Sequence, residues 1–378
     1  MNNLEKYRNE FPHTELDMVY FDHAAVSPMN NRVKANLEAY IRQAQGEKIE
    51  NWFDTMDLAV AAREKFGKLI NAPKERIAAV RNTSDGLILL ARGLKWEQGD
   101  RIILHKMEFP SNVYPWWDLQ PYGVELDFLD SELGSVTPAD LERVVTGRTR
   151  LVAVSWVQYF SGYKNDIRAL ADWCHDRGII LAVDAMQGLG ALQFDNEISQ
   201  ADFIATGTAK WLLGPQGVGF IYITEELQEQ IHPPHLGWQG RASLMEFHNY
   251  EQPLKADASR YEFATPFSLG IWGVNGALDL LLEADQPAIE NRILELTDYL
   301  VKQLQVHNYR VISDRGAGVK SGIVITSNVD PRRNQQIFEY LNKKKVHISF
   351  RNGNLRIAPH FYNTAAEIDR LIELLSDL

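Results

Sequence analysis

The sequence contains a single cysteine, Cys174, so it cannot form a disulfide within the chain. It also lacks long apolar runs: stretches such as residues 87–91 and 179–183 are far shorter than the about 20 residues of a membrane-spanning helix. Residues 1–12 mix acidic and basic side chains and have no apolar segment of the kind that a signal peptide needs. These absences predict a cytoplasmic protein that does not cross a membrane.

Positive charge is also scarce. The chain has 39 Lys and Arg residues against 50 Asp and Glu residues, which gives a net charge of −11. Proteins that bind nucleic acids need a basic surface to neutralise phosphates. The one basic run, residues 343–345, is typical of a solvated helix end. We therefore predict no nucleic-acid partner.

Ligand patterns for metals and dinucleotides are missing as well. His232 and His235 flank two prolines without a further ligand at a recognisable spacing, so no metal site is predicted. Gly188 and Gly190 form a G-x-G pair, but Gln193 stands where the dinucleotide fingerprint has its third glycine. A nucleotide-dependent oxidoreductase is therefore disfavoured.

What is present is an alternation of strands and helices that is typical of α/β proteins. Predicted strands cover residues 101–104, 124–129, 151–157, 179–183, 202–206 and 218–223, and predicted helices cover residues 85–92, 166–177, 269–283 and 288–307. Strands that are apolar at every position, such as residues 179–183, are typical of parallel sheets covered by helices on both faces. The length and this pattern predict a large α/β domain over residues 16–260 and a smaller α+β domain over residues 261–378, on which residues 1–15 pack.

Two charged residues interrupt the apolar pattern. Asp184 follows the predicted strand at residues 179–183, and ligands of open α/β sheets gather at the carboxyl ends of strands. A helix cap or a loop carboxylate is the alternative interpretation of Asp184. Lys210 lies between apolar segments, where a charged amine is costly unless it has a function. Burial lowers the pKa of a lysine, and its neutral amine can then form a Schiff base.

The segments around these two residues resemble a known family. The motifs are Asp184-Ala185-Met186-Gln187, Ala201-Asp202-Phe203, and Lys210 followed by Gly214-Pro215-Gln216-Gly217-Val218-Gly219. Together they resemble the class V aminotransferases, fold-type I enzymes that depend on pyridoxal 5'-phosphate (PLP) and include cysteine desulfurases, selenocysteine lyases, kynureninases and isopenicillin N epimerase-like proteins. The resemblance runs from about Tyr20 to the C-terminus. It implies the PLP-dependent transferase fold, an α/β fold with a mostly parallel seven-stranded sheet in the large domain and a smaller α+β C-terminal domain.

The resemblance implies specific roles for the residues of these motifs. Lys210 holds PLP as a Schiff base and moves the Cα proton of an amino-acid substrate. Asp184 pairs with the pyridine nitrogen and keeps it protonated, which makes the ring an electron sink. Gln187 hydrogen-bonds the ring hydroxyl.

The same resemblance assigns the rest of the cofactor site. Thr83, Ser84 and Asp85 bind the phosphate at the start of a predicted helix, a role that is compatible with capping of that helix. Phe109 stacks on the pyridine ring, with a core phenylalanine as the alternative. Asn112 makes a polar contact near the ring.

Further residues are implied in assembly and substrate binding. Thr265 lies in a segment that, in the family, reaches across a dimer interface to the phosphate of the other subunit, which implies a homodimer with two shared active sites. Arg356 binds the substrate α-carboxylate, because its planar fork fits two parallel hydrogen bonds. Arg351 is the alternative carboxylate ligand. His23 contacts the substrate or has a structural role.

Two departures from the family pattern bear on function. Gly207 and Ala209 stand where many members have serine and histidine, so we expect Thr206 or Thr208 to supply the missing hydroxyl contact. Desulfurases attack the substrate sulfur with a loop cysteine, whereas Cys174 lies on the apolar face of a predicted helix. We therefore predict an aminotransferase or Cβ-lyase rather than a persulfide-forming cysteine desulfurase. An amino-acid epimerase or racemase on the same scaffold, or a non-catalytic homologue that has lost the cofactor, is the alternative.

Overall fold

The computed structural model describes residues 4–376. The α-helices are α1 (Asn31–Arg42), α2 (Trp52–Ile70), α3 (Thr83–Gly93), α4 (Tyr114–Trp117), α5 (Pro138–Glu142), α6 (Ile167–His175), α7 (Asn196–Ser199), α8 (Glu225–Gln230), α9 (Ser268–Ala284), α10 (Gln286–Val306), α11 (Asn334–Lys343) and α12 (Ala365–Ser376). The strands are β1 (Val19–Tyr20), β2 (Ile77–Val80), β3 (Arg101–His105), β4 (Glu125–Leu129), β5 (Thr149–Ser155), β6 (Ile180–Asp184), β7 (Phe203–Gly207), β8 (Gly219–Ile223), β9 (Tyr309–Val311), β10 (Val324–Asn328), β11 (Val346–His347), β12 (Ser349–Arg351) and β13 (Asn354–Ile357).

Seven strands form the central sheet in the order β2-β8-β7-β6-β5-β3-β4. Five strands, β4, β3, β5, β6 and β7, run parallel to one another, whereas β8 is antiparallel to both β7 and β2. Side chains alternate between two core clusters: Val152 and Val154 of β5 pack in one, and Leu151 and Ala153 pack in the other. The sheet is therefore buried on both faces, as its uninterrupted apolar strands predict.

The predicted strands and long helices are confirmed, with ends that differ from the structure by at most about two residues. The helix at residues 166–177 is one example. It is observed as α6, which Asp166 caps by accepting a hydrogen bond from Ala169 N at 3.1 Å. Cys174 is fully buried on α6. One small difference bears on function, because Asp184 is the last residue of β6 rather than the first residue after it.

The parallel strands bring several chain segments to one edge of the sheet. β5 ends at Ser155, β6 ends at Asp184, and β7 ends at Gly207, shortly before Lys210. The N-terminus of α3 reaches the same edge: a Cβ at Gly219, which pairs with Gly207, would lie 3.1 Å from Cα of Asn82, the residue that caps α3. This edge carries the candidate site.

A second sheet of four antiparallel strands has the order β12-β13-β10-β9 and packs with α10, α11 and α12 around a separate core cluster. β1 pairs in parallel with β11 beside it. By contrast, α9 packs against α2, where Trp272 Nε1 donates to Thr55 Oγ1 at 3.0 Å and Asn275 Nδ2 donates to Leu58 O at 3.0 Å. The division of the chain between residues 260 and 261 stays a prediction.

The N-terminal segment contacts both α9, which packs against α2, and α12, which packs with the second sheet. Tyr7 Oη donates to Glu283 O of α9 at 2.9 Å, and Arg8 forms an ion pair of 2.9 Å with Glu367 of α12. Residues 1–3 and 377–378, which belong to the predicted terminal segments, lie outside the described residues. Within residues 4–376, no helix is long and apolar enough to cross a membrane.

Candidate active site

A cavity of about 220 Å³ opens at the carboxyl ends of β5, β6 and β7. It is lined by Asn82, Thr83, Ser84, Phe109, Ser111, Ser155, Tyr159, Asp184, Met186, Gln187 and Lys210. Six of the predicted site residues therefore meet in one place, although they come from distant parts of the sequence. These six are Thr83, Ser84, Phe109, Asp184, Gln187 and Lys210.

Among the groups that line this cavity, Lys210 and Asp184 are the two whose pKa values burial shifts most clearly. Burial lowers the pKa of Lys210, and the negative charge of Asp184 opposes that shift. Burial raises the pKa of Asp184, whereas a hydrogen bond from Met186 N, at 2.9 Å, and the charge of Lys210 lower it. A lysine whose pKa is lowered carries a larger fraction of neutral amine, which is the nucleophilic form. The cavity therefore holds an amine suited to react with a carbonyl group.

The chain on either side of Lys210 is fixed by buried polar contacts. Trp211 Nε1 donates to Gln187 Oε1 at 2.9 Å, and Gln187 Nε2 donates to Ala24 O at 3.0 Å. His360, which is fully buried, places Nε2 at 3.0 Å from Trp211 O. Gln187 thus lines the cavity as predicted, but its amide also holds the residue after Lys210 in place.

The first turn of α3 borders the opposite end of the cavity. Its backbone N–H groups have no acceptor within the helix, and the helix dipole favours an anion at this end. Thr83 and Ser84 add hydroxyl groups here, and Ser84 Oγ donates to Ser111 Oγ at 2.8 Å. Asn82 caps the helix by accepting from Asp85 N at 2.9 Å. The hydroxyls and N–H groups of this turn suit a phosphate.

Gly207 fits closely beside this turn. A Cβ at position 207 would lie 3.6 Å from Thr83 Oγ1 and 3.3 Å from the sulfur of Met186. Gly207 N also donates to Met186 Sδ at 3.2 Å. Met186 therefore occupies the space beside the position where many family members have serine.

An aromatic wall faces the amine. The Phe109 ring centre lies 5.6 Å from Lys210 Nζ, and the ring packs edge-on against Tyr159 with the centroids 5.2 Å apart. Phe109 is 42% exposed, so one face of its ring is accessible from the cavity. This arrangement suits stacking on a planar ring. It argues against the alternative that Phe109 is a core residue.

Arg356 lies beside this wall but does not line the cavity itself. Its Nη1 donates to Tyr159 O at 3.2 Å, and its Nη2 lies 3.1 Å from Ser349 Oγ and 3.4 Å from Asp22 Oδ1. The side chain is 2% exposed, and its Nε is buried with no partner among the described residues. Arg351, the alternative carboxylate ligand, is exposed on the neighbouring strand β12. Arg356 therefore has a hydrogen-bonding atom to spare.

Two predicted hydroxyl ligands do not reach the cavity. Thr206 and Thr208 are fully buried, and neither lines it. The Thr206 hydroxyl donates to Gly207 O at 3.2 Å, and the Thr208 hydroxyl lies 2.7 Å from Pro215 O and 3.0 Å from Val218 O. The expectation that one of them replaces the missing serine hydroxyl is corrected, because both satisfy backbone carbonyl groups.

Asn112 and His23 also face away from the cavity. Asn112 Nδ2 donates to Glu108 Oε2 at 3.1 Å, and its Oδ1 accepts from Trp116 Nε1 at 3.2 Å. The nitrogen atoms of His23 lie 3.0 Å from Ala358 O and 2.7 Å from Tyr362 Oη. Both side chains are fully buried. The predicted direct contact of Asn112 with the cofactor ring is therefore corrected to a structural role, and for His23 the structural alternative is favoured.

Asp85 and Thr265 belong to a different cavity, of about 350 Å³, on another side of α3. Asp85 pairs with Arg81, whose Nη2 lies 2.6 Å from Asp85 Oδ1, so the predicted phosphate contact of Asp85 is corrected to an ion pair. Thr265 is exposed. Its predicted contact with the phosphate of a second subunit stays a prediction.

Five cavity residues were missing from the predicted site: Asn82, Ser111, Ser155, Tyr159 and Met186. Ser155 ends β5 in register with Asp184 at the end of β6, so the rule that ligands lie at strand ends applies to both residues. Met186 lies in the motif that carries Asp184 and Gln187. Ser111 lies in the family segment that carries Phe109 and Asn112, whereas no local pattern marks Tyr159.

The fold and this site define a class of protein, the fold-type I PLP enzymes. A mutant of C-DES with glycine covalently linked to its PLP cofactor has the same fold, with a TM-score of 0.90 at 21% identity, over 98% of this chain and 99% of that one. The class V aminotransferase family profile matches residues 19–371, so the chain belongs to the class V aminotransferase family. The predicted fold class and family are confirmed.

The relatives of this chain carry the names of both aminotransferases and cysteine desulfurases. The uncharacterized aminotransferase YcbU of Bacillus subtilis is 28% identical over 373 residues, which are 98% of this chain and 96% of that protein. A probable cysteine desulfurase of Pyrococcus abyssi is 27% identical over 395 residues, which are 99% of this chain and 97% of that protein. The relatives alone therefore do not decide the reaction.

PLP is the cofactor of this family, and the cavity fits it. The first turn of α3 suits the phosphate, and the ring of Phe109 suits a planar heterocycle. Lys210 and Asp184 suit the aldehyde and the ring nitrogen. The prediction of PLP as cofactor is confirmed.

Proposed function

We propose that this class V enzyme is an aminotransferase or Cβ-lyase that removes the Cα proton of an amino acid with Lys210. The observation that carries the proposal is the pairing of a lysine of lowered pKa with a buried carboxylate in one cavity. When bound, PLP supplies an electron sink for the electrons left at Cα. Lys210 would hold the cofactor, and its neutral amine would take the proton from Cα.

The other residues orient these groups. Asp184 would accept a hydrogen bond from the ring nitrogen of the cofactor and favour its protonated form. Phe109, whose ring centre lies 5.6 Å from Lys210 Nζ, would stack on the cofactor ring. Arg356 binds the substrate α-carboxylate, and its unpartnered Nε supports this role.

Binding at Arg356 competes with the carboxylate that already faces it. Asp22 Oδ1 lies 3.4 Å from Arg356 Nη2 and accepts a hydrogen bond of 2.6 Å from Ser349 Oγ. The ion-pair distance is long for a charge-assisted hydrogen bond, so this pair leaves Arg356 available. Asp22 then keeps the buried guanidinium compensated when no substrate is bound.

The single cysteine supports a reaction without a protein persulfide. Cys174 is fully buried, and burial raises the pKa of its thiol. The thiolate is the nucleophilic form of cysteine, so an inaccessible thiol of raised pKa is a poor acceptor of sulfur. We therefore propose that any sulfur released from a substrate leaves without being carried on the chain.

We also propose a homodimer, in which Thr265 reaches the phosphate of the other subunit. Large apolar side chains are exposed around the second cavity, among them Phe267 at 50% and Ile88 at 39%. Trp117, which shares another cavity with Ile88, is 50% exposed, and exposed apolar patches are typical of protein interfaces. Sedimentation of the purified protein tests the dimer directly.

The reaction is tested by product analysis with a panel of L-amino acids on the PLP-loaded enzyme. A keto acid together with pyridoxamine phosphate identifies transamination, whereas ammonia with a released side-chain fragment identifies a Cβ-lyase. Racemised substrate as the only product would contradict the proposal in favour of an epimerase. Failure of the folded protein to bind PLP would contradict it in favour of a non-catalytic homologue.

A matched variant tests the role of the cysteine. Cys174→Ala should release sulfur from cysteine or cystine at the wild-type rate if the wild type does so at all. Loss of that release, in a variant that keeps its PLP absorbance and its fold, would assign the chain to the persulfide-forming desulfurases.

A further inference from the structure

Glu108 is a buried carboxylate that the proposed reaction does not use. It lies between β3 and Phe109 and is 5% exposed. Glu108 Oε1 accepts from Ser155 N at 2.8 Å and from Gln158 Nε2 at 2.8 Å. Oε2 accepts from Asn112 Nδ2 at 3.1 Å and also contacts Ser155 Oγ. Four donors therefore converge on one side chain.

These donors favour the ionised form of Glu108. Burial raises its pKa, and the hydrogen bonds oppose that shift. The N–H groups of Ser155, Gln158 and Asn112 can donate but cannot accept, so each is better satisfied by a carboxylate than by an acid. No cation forms an ion pair with Glu108 in the part of the chain that the structure describes. A buried charge of this kind is costly unless a cation is nearby.

Ser155 connects Glu108 to Asp184. Ser155 and Asp184 face each other in the pairing of β5 with β6, and Ser155 lines the cavity. Asp184 is raised in pKa first by burial, and the charge of Glu108 raises it further. The other charged groups nearby are Lys210, across the cavity, and beyond it Arg351 and the ion-paired Arg356 and Asp22. His105 also lies nearby, and its nitrogen atoms contact Met107 N and Ser131. Since Arg356 and Asp22 offset each other, Asp184 in the cavity wall and Glu108 behind it are opposed mainly by one amine.

This balance leaves the cavity short of positive charge. A protonated ring nitrogen beside Asp184 would supply the missing positive charge and would stabilise both buried carboxylates. The same hydrogen bonds fix two aromatic neighbours, since Glu108 directly precedes Phe109 and Gln158 directly precedes Tyr159. Glu108 is therefore placed to influence both the charge and the position of a bound ring.

We propose that Glu108 is a positioning residue whose carboxylate, held behind Asp184 through Ser155, favours the protonated ring nitrogen of bound PLP. This inference rests on the proposed role of Asp184 as the partner of that nitrogen. Glu108 acts at one remove, since it does not line the cavity.

The test uses the holoenzyme loaded with PLP carrying ¹⁵N in its ring, whose NMR shift reports the protonation of that nitrogen as the pH is raised. The variant Glu108→Gln keeps the size of the side chain and removes its charge. The ring nitrogen should lose its proton at a pH about one to three units lower than in the wild type. An unchanged titration, in a variant of lowered thermal stability, would overturn the proposal and leave Glu108 a purely structural residue.

Two further variants keep the outcome decisive. Ser155→Ala removes one of the donors that stabilise the Glu108 carboxylate, so Glu108 ionises less readily. The ring nitrogen of this variant should titrate at a lower pH than in the wild type, with a smaller shift than in Glu108→Gln. If Glu108→Gln does not fold, an unchanged titration in Ser155→Ala overturns the proposal. Asp184→Asn tests the underlying function: if its ring nitrogen titrates like the wild type, the role of Asp184 fails as well.

Discussion

The cavity at Lys210 and the cavity that contains Thr265 both border α3, and they differ in how their walls are made. The cavity at Lys210 combines buried charges, hydroxyl groups and helix N–H groups, and hydrogen bonds hold several of them, among them Asp184 and Ser84. The larger cavity is lined mainly by apolar residues such as Val218, Phe263 and Phe267, with Thr265 exposed at its edge. Fixed polar groups stabilise charge with little reorganisation, whereas apolar walls gain free energy only when they are covered. This difference supports our proposals that the first cavity carries the reaction and that the second forms part of a subunit interface.

The sharpest test of this contrast is Lys210→Ala. If the first cavity is the reaction site, loss of the amine should abolish the visible absorbance of lysine-bound PLP. It should also lower kcat by about 10³-fold or more, because both attachment and proton transfer are lost. Absorbance spectra and turnover with the amino acid that the wild type accepts measure both effects. Retention of both by the variant would move the reaction away from this cavity.

A second test concerns His360, whose Nε2 contacts the backbone of Trp211 next to Lys210. His360 is fully buried, and burial lowers its pKa to about 4 from an ordinary value of 6.5. Between these pH values the unfolded chain binds more protons than the folded one, so the free energy of unfolding falls as the pH drops below 6.5. By pH 4, the lowered pKa of His360 reduces the free energy of unfolding by about 3 kcal/mol.

The variant His360→Gln lacks this titration. Its free energy of unfolding, measured with urea at several pH values, should fall less between pH 7 and 4 than that of the wild type. The buried His23 titrates in both proteins, and because the charge of His360 lowers its pKa, the difference also contains the interaction between the two histidines. Equal pH dependence in the two proteins would show that His360 does not limit stability in acid.

The third test separates substrate binding from cofactor binding. Arg356→Lys keeps the charge but loses the planar fork, so kcat/KM should fall about tenfold or more. The affinity for PLP should not change, because Arg356 does not line the cavity. Steady-state kinetics and PLP titration measure the two quantities. A comparable loss in Arg351→Lys, with Arg356→Lys unaffected, would assign the α-carboxylate to Arg351 instead.

The smallest expected effect probes the larger cavity. Thr265→Ala removes one hydroxyl, and a single hydrogen bond of about 1 kcal/mol corresponds to about a fivefold loss in PLP affinity. The loss should occur only in the dimer, which PLP titration and sedimentation together can show. If PLP affinity is unchanged in a dimeric variant, Thr265 does not reach the phosphate of the other subunit.

The local sequence pattern determined much of the central sheet and of the cavity at its edge. Uninterrupted apolar strands predict burial on both faces, and the observed alternation of β5 between two core clusters has that cause. Because parallel strands end at one edge of a sheet, Asp184 and the segment before Lys210 could be placed together without a structure. The family motifs supplied Thr83, Ser84, Phe109 and Gln187, all of which line the cavity.

Tertiary packing decided which side chains those segments present. Thr206, Thr208 and Asn112 lie close in sequence to cavity residues, yet their polar atoms face carbonyl groups or neighbouring side chains. A position in the chain does not state which way a side chain points, since that depends on which buried polar groups still need a partner. For the same reason, Tyr159 and the carboxylate of Glu108 could not be predicted. The sequence alone therefore determined the sheet, the family and the central pair of Asp184 and Lys210, whereas the folded chain decided the hydrogen bonds that surround that pair.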